Sequence, residues 1–460
     1  MGDPFDLTPV PVAEINTPHR RIRSPLPHPD SVPVLRQLRR YEPRSMSGQP
    51  PVIWHRAQGV HVFDPYGNMW LDWSSGVLVT NVGHGHPAIC RAIAEETEKP
   101  LLHNYCFPNE ARAMLARRLV ELAPDGIDKC FLLTTGSEAT ECCLKLMRTW
   151  GQRTVGPQKI GIISFENGFH GRTMGAQQMG PLGDGDRWIV NLDPDIHRIP
   201  FPDGYWNADL DFECFLRALA NAKVDVGTVA GIMVETYQGA GPFFLPVQYA
   251  QDLRAWCSEN NVLLCFDEVQ AGFGRCGTLW GFEYYGVVPD LIACGKGISS
   301  SLPLSAVLGR AHIMDLYPPG SMTSTHSGNP VCCRAALASI EVLLDEGLVR
   351  NARAMEQVLL PGLQEIQRRF PDTVGFVSGK GLVAGLQIAH RGTKEPNAEL
   401  AHRIVEECYR RGLLLFAPVG VGGACVKIAP PLCITADAIQ DGLTALNDAM
   451  EAALCQAGAR

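Results

Sequence analysis

Lys296 stands between Gly295 and Gly297, directly after the apolar run Leu291–Cys294. A ligand can approach the backbone closely there. A buried lysine also has a depressed pKa, which lets its amine attack a carbonyl and form a Schiff base. Asp267 and Glu268 end a second apolar run, 262–266. A carboxylate leaving a dry strand is costly unless paired, and neighbours in a strand point to opposite faces. One of these acids is therefore expected to work in a site and the other to pair elsewhere. Between a strand-like and a helix-like segment lies Thr134-Thr135-Gly136-Ser137-Glu138-Ala139-Thr140-Glu141. A helix N-terminus there would hold a phosphate: Gly136 permits close approach, and Ser137 can cap the helix and offer its hydroxyl. After 159–164 come Phe169, His170, Gly171 and Arg172. Their rings can stack on a planar ligand, and the guanidinium can take an acid group bidentately. Glu235, Thr236 and Tyr237 follow the run 229–234, and Thr325-His326-Ser327-Gly328-Asn329-Pro330 forms a turn into a helix.

Taken singly, each of these has a plain reading: a helix cap, a surface loop, a turn. A P-loop at Lys296 is excluded, because GxxxxGK[ST] would need Gly at position 290, which is Asp290, and Ser or Thr at position 297, which is Gly297. No histidine cluster supports a metal at Asp267 and Glu268. Jointly, a phosphate cradle, an aromatic plate, a strand-end Asp and a Schiff-base Lys describe a site for pyridoxal 5′-phosphate, with Asp267 keeping the pyridine nitrogen protonated.

The elements that must position these groups are legible as alternating apolar runs and helical stretches. Strands are expected at 129–134, 159–164, 229–234, 262–266, 291–294 and 304–308, with helices at 109–122, 137–149, 247–259 and 331–345. Apolar strands spaced by helices indicate a largely parallel sheet covered on both faces, where functional groups gather at strand carboxyl ends. A hairpin is expected over 60–75 around Asp64-Pro65-Tyr66-Gly67-Asn68. Beyond residue 330, helices at 348–370, 397–412 and 436–455 mix with strands at 382–388, 412–417 and 424–428, a second, α+β unit. The division reads as 1–75, an arm and hairpin belonging to the small domain; 76–330, a large domain; and 331–460, the small domain. The proline-rich arm with its basic knot His19-Arg20-Arg21-Ile22-Arg23 either packs on its own domain or drapes over a partner subunit.

Composition narrows the class. With 460 residues, 46% hydrophobic and 19% charged, the chain can build a large interior. A net charge of −8 is unlike a nucleic-acid binder, and no apolar run reaches the ~20 residues of a membrane span. The 16 cysteines include no CxxC and are too sparse for a disulfide scaffold, so reduced thiols in the cytoplasm are expected. The N-terminus lacks a signal peptide, and Met1-Gly2 opens a myristoylation motif that Asp6 breaks.

At LLCFDEVQAGFGRCG (263–277) and PDLIACGKGISSSLPLSAVLG (289–309) the chain resembles the class III aminotransferases. The likeness runs from the hairpin to about residue 445. It implies the type I pyridoxal-phosphate fold: a large, mostly parallel seven-stranded sheet domain plus a smaller α+β domain. It implies that Lys296 binds the cofactor covalently, Asp267 pairs with the pyridine nitrogen and Gln270 sits by the ring hydroxyl. Gly136 and Ser137 would bind the phosphate, and Phe169, beside His170, would stack on the ring. Thr325 matches a Thr that reaches the phosphate of the neighbouring subunit, which implies a homodimer, with a tetramer also open. Arg172 matches an Arg that takes a distal acid, and Glu235 a Glu that masks a second Arg. Where the family commonly carries that Arg, before Pro-Pro-Leu, this chain has Lys427, which lacks the planar fork. His326 stands where an aromatic is usual, and Thr236-Tyr237 replaces a proline-containing pair. Substrate walls are expected among Ser75, Val77, Leu78, Tyr105, Phe107, Phe169 and Arg172, though core packing accounts equally for Val77 and Leu78. The expected reaction moves an amino group from a terminal amine of a small acid-bearing substrate to a keto acid. The alternative is a lyase of the same family, eliminating ammonia or phosphate from an amino-phosphonate or amino-alcohol phosphate. An NAD-dependent oxidoreductase lacks its GxGxxG, and intact Lys296 and Asp267 disfavour a dead scaffold.

Overall fold

The computed structural model describes residues 5–458, so Met1 and Gly2 lie outside it. The chain divides into one unit of residues 87–349 and another formed by residues 1–86 with 350–460.

In the first unit, seven segments become strands: β1 (Lys129–Leu133), β2 (Gly161–Phe165), β3 (Ile196–Ile199), β4 (Val229–Glu235), β5 (Leu263–Asp267), β6 (Leu291–Cys294) and β7 (Ser305–Gly309). They form one sheet in the order β1-β7-β6-β5-β4-β2-β3. β2 to β6 pair in parallel, and every residue of β2, β4, β5 and β6 is buried. That burial explains the near-continuous apolar runs: parallel strands are covered on both faces. β7 is antiparallel to both β6 and β1. Only residues 295–304 join β6 to β7, too few for the crossover helix that a parallel neighbour requires.

β3, with sequence Ile-His-Arg-Ile, was not expected as a strand. It is four residues long, half polar, and pairs only with β2 at the sheet edge, so neither an apolar run nor a clean alternation marks it. Helices α1 (Glu110–Glu121), α2 (Gly136–Thr154) and α3 (Pro330–Asp345) fall where expected, as does Val247–Glu259. Parallel registry sets the strand ends side by side: Asp267 pairs in register with Glu235 on one flank and Ala293 on the other. Lys296 then lies just past the end of β6. The chemistry-bearing residues thus meet at one edge because the strands that carry them run the same way.

In the second unit, His61–Phe63 and Met69–Asp72 form the expected hairpin, closed by Asp64 Oδ1 accepting from the backbone N–H of Tyr66 and Asn68 (both 2.9 Å). Val383–Ile388 and Cys425–Ile428 are strands as expected, but the strand at 412–417 shrinks to Leu413–Leu414. A further strand, Val374–Lys380, escaped notice because Gly375 and Gly379 break its pattern. The arm packs on its own unit: Arg20 grips Asp441 with two hydrogen bonds (2.8 and 2.7 Å) and donates to the Arg411 carbonyl.

One glycine seats α2 on the sheet. A Cβ at Gly151 would overlap the Lys159 carbonyl oxygen and lie 2.9 Å from Ala230 Cβ in β4. Alanine is the better helix former by about 1 kcal/mol, whereas overpacking a tight contact costs about 1–3 kcal/mol. Gly151→Ala is therefore expected to be less stable in urea unfolding by up to about 2 kcal/mol; a raised midpoint would show that α2 does not rest on this contact.

Candidate active site

The end of β1 hands the chain to α2 through Thr134 and Thr135. Thr135 caps the helix, accepting from the Glu138 N–H, and Glu138 Oε2 accepts in return from the Thr134 and Thr135 N–H groups (2.9 and 2.8 Å). This reciprocal box leaves the N–H groups of Gly136 and Ser137 at the positive end of a 19-residue helix, an arrangement suited to a phosphate. Gly136 is required by space: a Cβ there would lie 2.8 Å from Val269 Cγ1.

A cavity of about 230 Å³ opens at this end, lined by Gly136, Ser137, Phe169, His170, Gly171, Asp267, Val269, Gln270 and Lys296. Asp267 is buried, with Oδ2 2.8 Å from His170 Nδ1 and Oδ1 accepting from the Val269 N–H at 3.1 Å. Its neighbour Glu268 faces the other way: it accepts from the Thr236 hydroxyl and from the Gly281 N–H (2.5 Å). The two adjacent acids thus divide as strand geometry requires, one into the cavity and one into the interior. Glu235 accepts from the Phe169 N–H at 2.9 Å through Oε2 and from the Gly239 N–H at 2.8 Å through Oε1.

The electrostatics follow from burial. Burial is the largest influence on His170 and favours its neutral form. The hydrogen bond and charge of Asp267, with the charge of Glu235, outweigh it and hold the imidazole above its usual range. Burial pushes the Glu235 carboxyl up to about 7, against the charge of His170 and its two backbone donors. Burial lifts Glu268 to about 7 as well. Burial lowers the Lys296 ammonium, with Asp267 and Glu235 pulling the other way, which favours the neutral nucleophilic amine. Lys296 also takes a backbone φ of 40°, unusual for a residue with a side chain and common at functional sites.

Of the expected cofactor residues, Gly136, Ser137, Phe169, His170, Asp267, Gln270 and Lys296 all line this cavity, whereas Thr325 is exposed on its loop and does not. Arg172 is exposed too, with its guanidinium 5.8 Å from the Phe169 ring centre. Tyr105 is partly exposed and its hydroxyl lies 3.0 Å from Thr323 Oγ1. In the other unit, Ser75 is buried and donates to the Ala429 carbonyl at 2.6 Å, Val77 is 43% exposed, and Lys427 is buried within the strand Cys425–Ile428. Val269 and Gly171 were missed as lining residues, although each stands two positions or fewer from a residue already singled out. Thr140 and Glu141, on the first turns of α2, lie in the stretch singled out from sequence but received no role there: each binds the loop that carries Phe169 and His170, a contact between segments some thirty residues apart that leaves no local signal.

The donor set fits pyridoxal 5′-phosphate. A free helix N-terminus beside a space that a Cβ at position 136 would fill, a flanking aromatic, a buried carboxylate and an amine of lowered pKa would respectively hold its phosphate, ring face, pyridine nitrogen and aldehyde carbon.

The His170–Asp267 pair has a measurable consequence. Because the folded pKa of His170 lies above 6.5, the pair's stabilisation is complete below pH 6.5 and is lost as pH rises through the folded value. In cofactor-free protein, NMR of labelled imidazoles should show His170 titrating above 6.5, and Asp267→Ala should move that titration downward, since burial then acts with less opposition. A His170 that titrates at the same pH in both proteins would contradict the coupling.

The chain is similar to known proteins over most of its length. The family model described as aminotransferase class III matches residues 44–450. A 4-aminobutyrate aminotransferase of Mycobacterium leprae is 31% identical over 447 residues, 93% of this chain and 97% of that relative. A 5-aminovalerate aminotransferase of Pseudomonas putida is 32% identical over 415 residues, 88% and 95%. Among solved structures, a PLP-bound amine transaminase from an uncultivated Pseudomonas species superposes with a TM-score of 0.80 at 29% identity, covering 87% of this chain and 94% of that one. Elimination of ammonia or phosphate, and a phosphonate substrate, find no support among these relatives. Matched by the family model over residues 44–450 and by the Mycobacterium leprae relative over 93% of its length, the chain belongs to the class III aminotransferases, enzymes that depend on pyridoxal 5′-phosphate.

Proposed function

We propose that this enzyme takes the amino group from the terminal amine of a small acid-bearing substrate and gives it to a keto acid, with Lys296 as the residue that bonds the cofactor's aldehyde carbon. The observation that carries the reading is a lysine of lowered pKa facing the same cavity as a buried aspartate and a free helix N-terminus. The names of its relatives, which act on 4-aminobutyrate and 5-aminovalerate, support the terminal amine.

When bound, pyridoxal phosphate supplies an electron sink for negative charge on the substrate carbon beside nitrogen. The chain's own groups do the rest. The Gly136 and Ser137 N–H groups and the Ser137 hydroxyl would hold the phosphate, and Phe169 would lie against the ring. Asp267 keeps the pyridine nitrogen protonated; with His170 on Oδ2 and the Val269 N–H on Oδ1, its carboxylate cannot turn away. Gln270 is assigned to the ring hydroxyl. With the cofactor bound, the Lys296 amine, its pKa lowered by burial, would take the proton from the substrate carbon as a general base and give it up again as an acid. Arg172, Lys427, Glu235, Tyr105, Ser75 and Val77 remain the assigned substrate residues, with the two cations the candidates for an acid group.

A homodimer, with a tetramer open, is part of this proposal. Thr325 is exposed, as a residue serving a neighbour's phosphate must be, and apolar Leu102 and Phe107 are 60% and 72% exposed in the same unit. A cytoplasmic location agrees with sixteen cysteines that are all free thiols. No helix among the described residues is long and apolar enough to cross a membrane.

Mixing cofactor-loaded enzyme with 4-aminobutyrate or 5-aminovalerate, without any keto acid, is expected to convert bound pyridoxal phosphate stoichiometrically to its amine form, with no ammonia released. Catalytic ammonia release would overturn the transfer. Lys296→Ala should lose the borohydride-fixable cofactor and turnover by at least about 10⁴-fold, the scale of a nucleophile and general base removed together. A Lys296→Ala enzyme that turns over normally would remove this lysine from the mechanism.

A further inference from the structure

The loop that carries Phe169 and His170 into the cavity has little secondary structure of its own until the short helix Met174–Gln178 begins. Such a loop would be mobile unless tied down. Besides the bonds of Phe169 to Glu235 and of His170 to Asp267, its ties converge on one face of α2, the helix whose N-terminus faces the cavity. Ser137 Oγ accepts weakly from the Arg172 N–H at 3.4 Å, and Thr140 donates to the His170 carbonyl at 2.7 Å. Glu141 makes three bonds through a single oxygen: Oε1 accepts from the Thr173 hydroxyl (2.6 Å) and from the N–H groups of Gly175 (2.8 Å) and Ala176 (3.0 Å). Positions 137, 140 and 141 share a helix face by their i, i+3, i+4 spacing.

The approach is close enough to dictate composition. A Cβ at Gly171, where φ is 129°, would overlap Ser137 Oγ, and one at Gly175 would lie 2.5 Å from Glu141 Oε2. At Gly171 the positive φ and the clash both call for glycine, and at Gly175 a side chain would displace the Glu141 carboxylate from its bonds. Residues 138 and 141 divide their work. Glu138 closes the helix cap, and Glu141, a turn later, has no part in it.

We propose that Glu141 is a positioning residue of the cofactor site: it ties the Phe169–His170 loop to α2, so that the ring plate and the phosphate cradle move as one body. The proposal rests on the reading that this cavity takes pyridoxal phosphate. A carboxylate bonded to three donors through one oxygen can be replaced by a glutamine that presents its carbonyl oxygen in the same place, but not by alanine.

The test compares Glu141→Ala and Glu141→Gln with wild type as holoenzymes, by pyridoxal phosphate affinity and by the circular dichroism that the bound cofactor acquires from its surroundings. Hydrogen exchange of the peptide spanning residues 169–178 is followed in cofactor-free protein. The alanine variant is expected to bind the cofactor roughly tenfold more weakly, the scale of one charge-assisted hydrogen bond, with reduced induced dichroism and faster exchange confined to that peptide. Glutamine should restore all three. An alanine variant with wild-type affinity and dichroism would overturn the proposal. So would exchange raised across the whole unit together with a lowered unfolding midpoint, because that marks a general loss of stability. A wild type that takes up no cofactor would instead sink the reading of the cavity itself.

Discussion

A carboxylate at the end of a dry strand is the constraint on which this site depends. Asp267 emerges from β5 where each residue is buried and where Glu235 stands in register on the next strand. Two carboxylates so placed repel each other, and burial penalises both. His170 resolves the conflict: its imidazole meets Asp267 at 2.8 Å, and its positive charge is felt by Glu235 as well. Lys296, on the same cavity, is held toward neutrality by burial although both acids favour its charge. The site therefore sets a hydrogen-bonded carboxylate beside an amine that burial draws away from its charged form, the division of labour that cofactor chemistry at a lysine requires.

Helix α2 organises what surrounds this charge pattern. Its N-terminus supplies dipole and N–H groups. Its face at Ser137, Thr140 and Glu141 carries the loop that brings Phe169 and His170, and Gly151 seats its far end on the sheet. One rigid element thus relates the phosphate end of the cavity to its aromatic wall and its imidazole. Close approach of side chains presses on the glycines at 136, 171 and 175, and at 171 the positive φ of 129° adds a conformational demand.

Much of this was legible before the fold was seen. The buried strands β2, β4, β5 and β6 announce themselves because a strand covered on both faces must be apolar throughout. Lys296 and Asp267 stand out because a charge at the end of such a run needs a reason. What escaped were features without a local cost. The edge strand Ile196–Ile199 is half polar because one of its sides has no strand partner, and Val374–Lys380 tolerates two glycines. Glu141 looks like any acid near a helix start until the loop thirty residues away folds onto it. Thr325 illustrates the opposite limit: its motif resembles a cofactor residue, yet in this subunit it stands outside the cavity, exposed on its loop.

The sequence by itself determined the chemistry and the class of fold. A lysine, an aspartate and a glycine-led helix start, each placed after an apolar run, are costly enough in those positions that only a ligand explains them together. Tertiary structure alone decided which groups share a cavity and in what state of charge. Register sets Glu235 beside Asp267, the loop's path sets His170 against that carboxylate, and burial depends on neighbours far along the chain. Those energies arise from through-space distance in a poorly polarisable interior, a quantity that residue spacing along the chain does not contain.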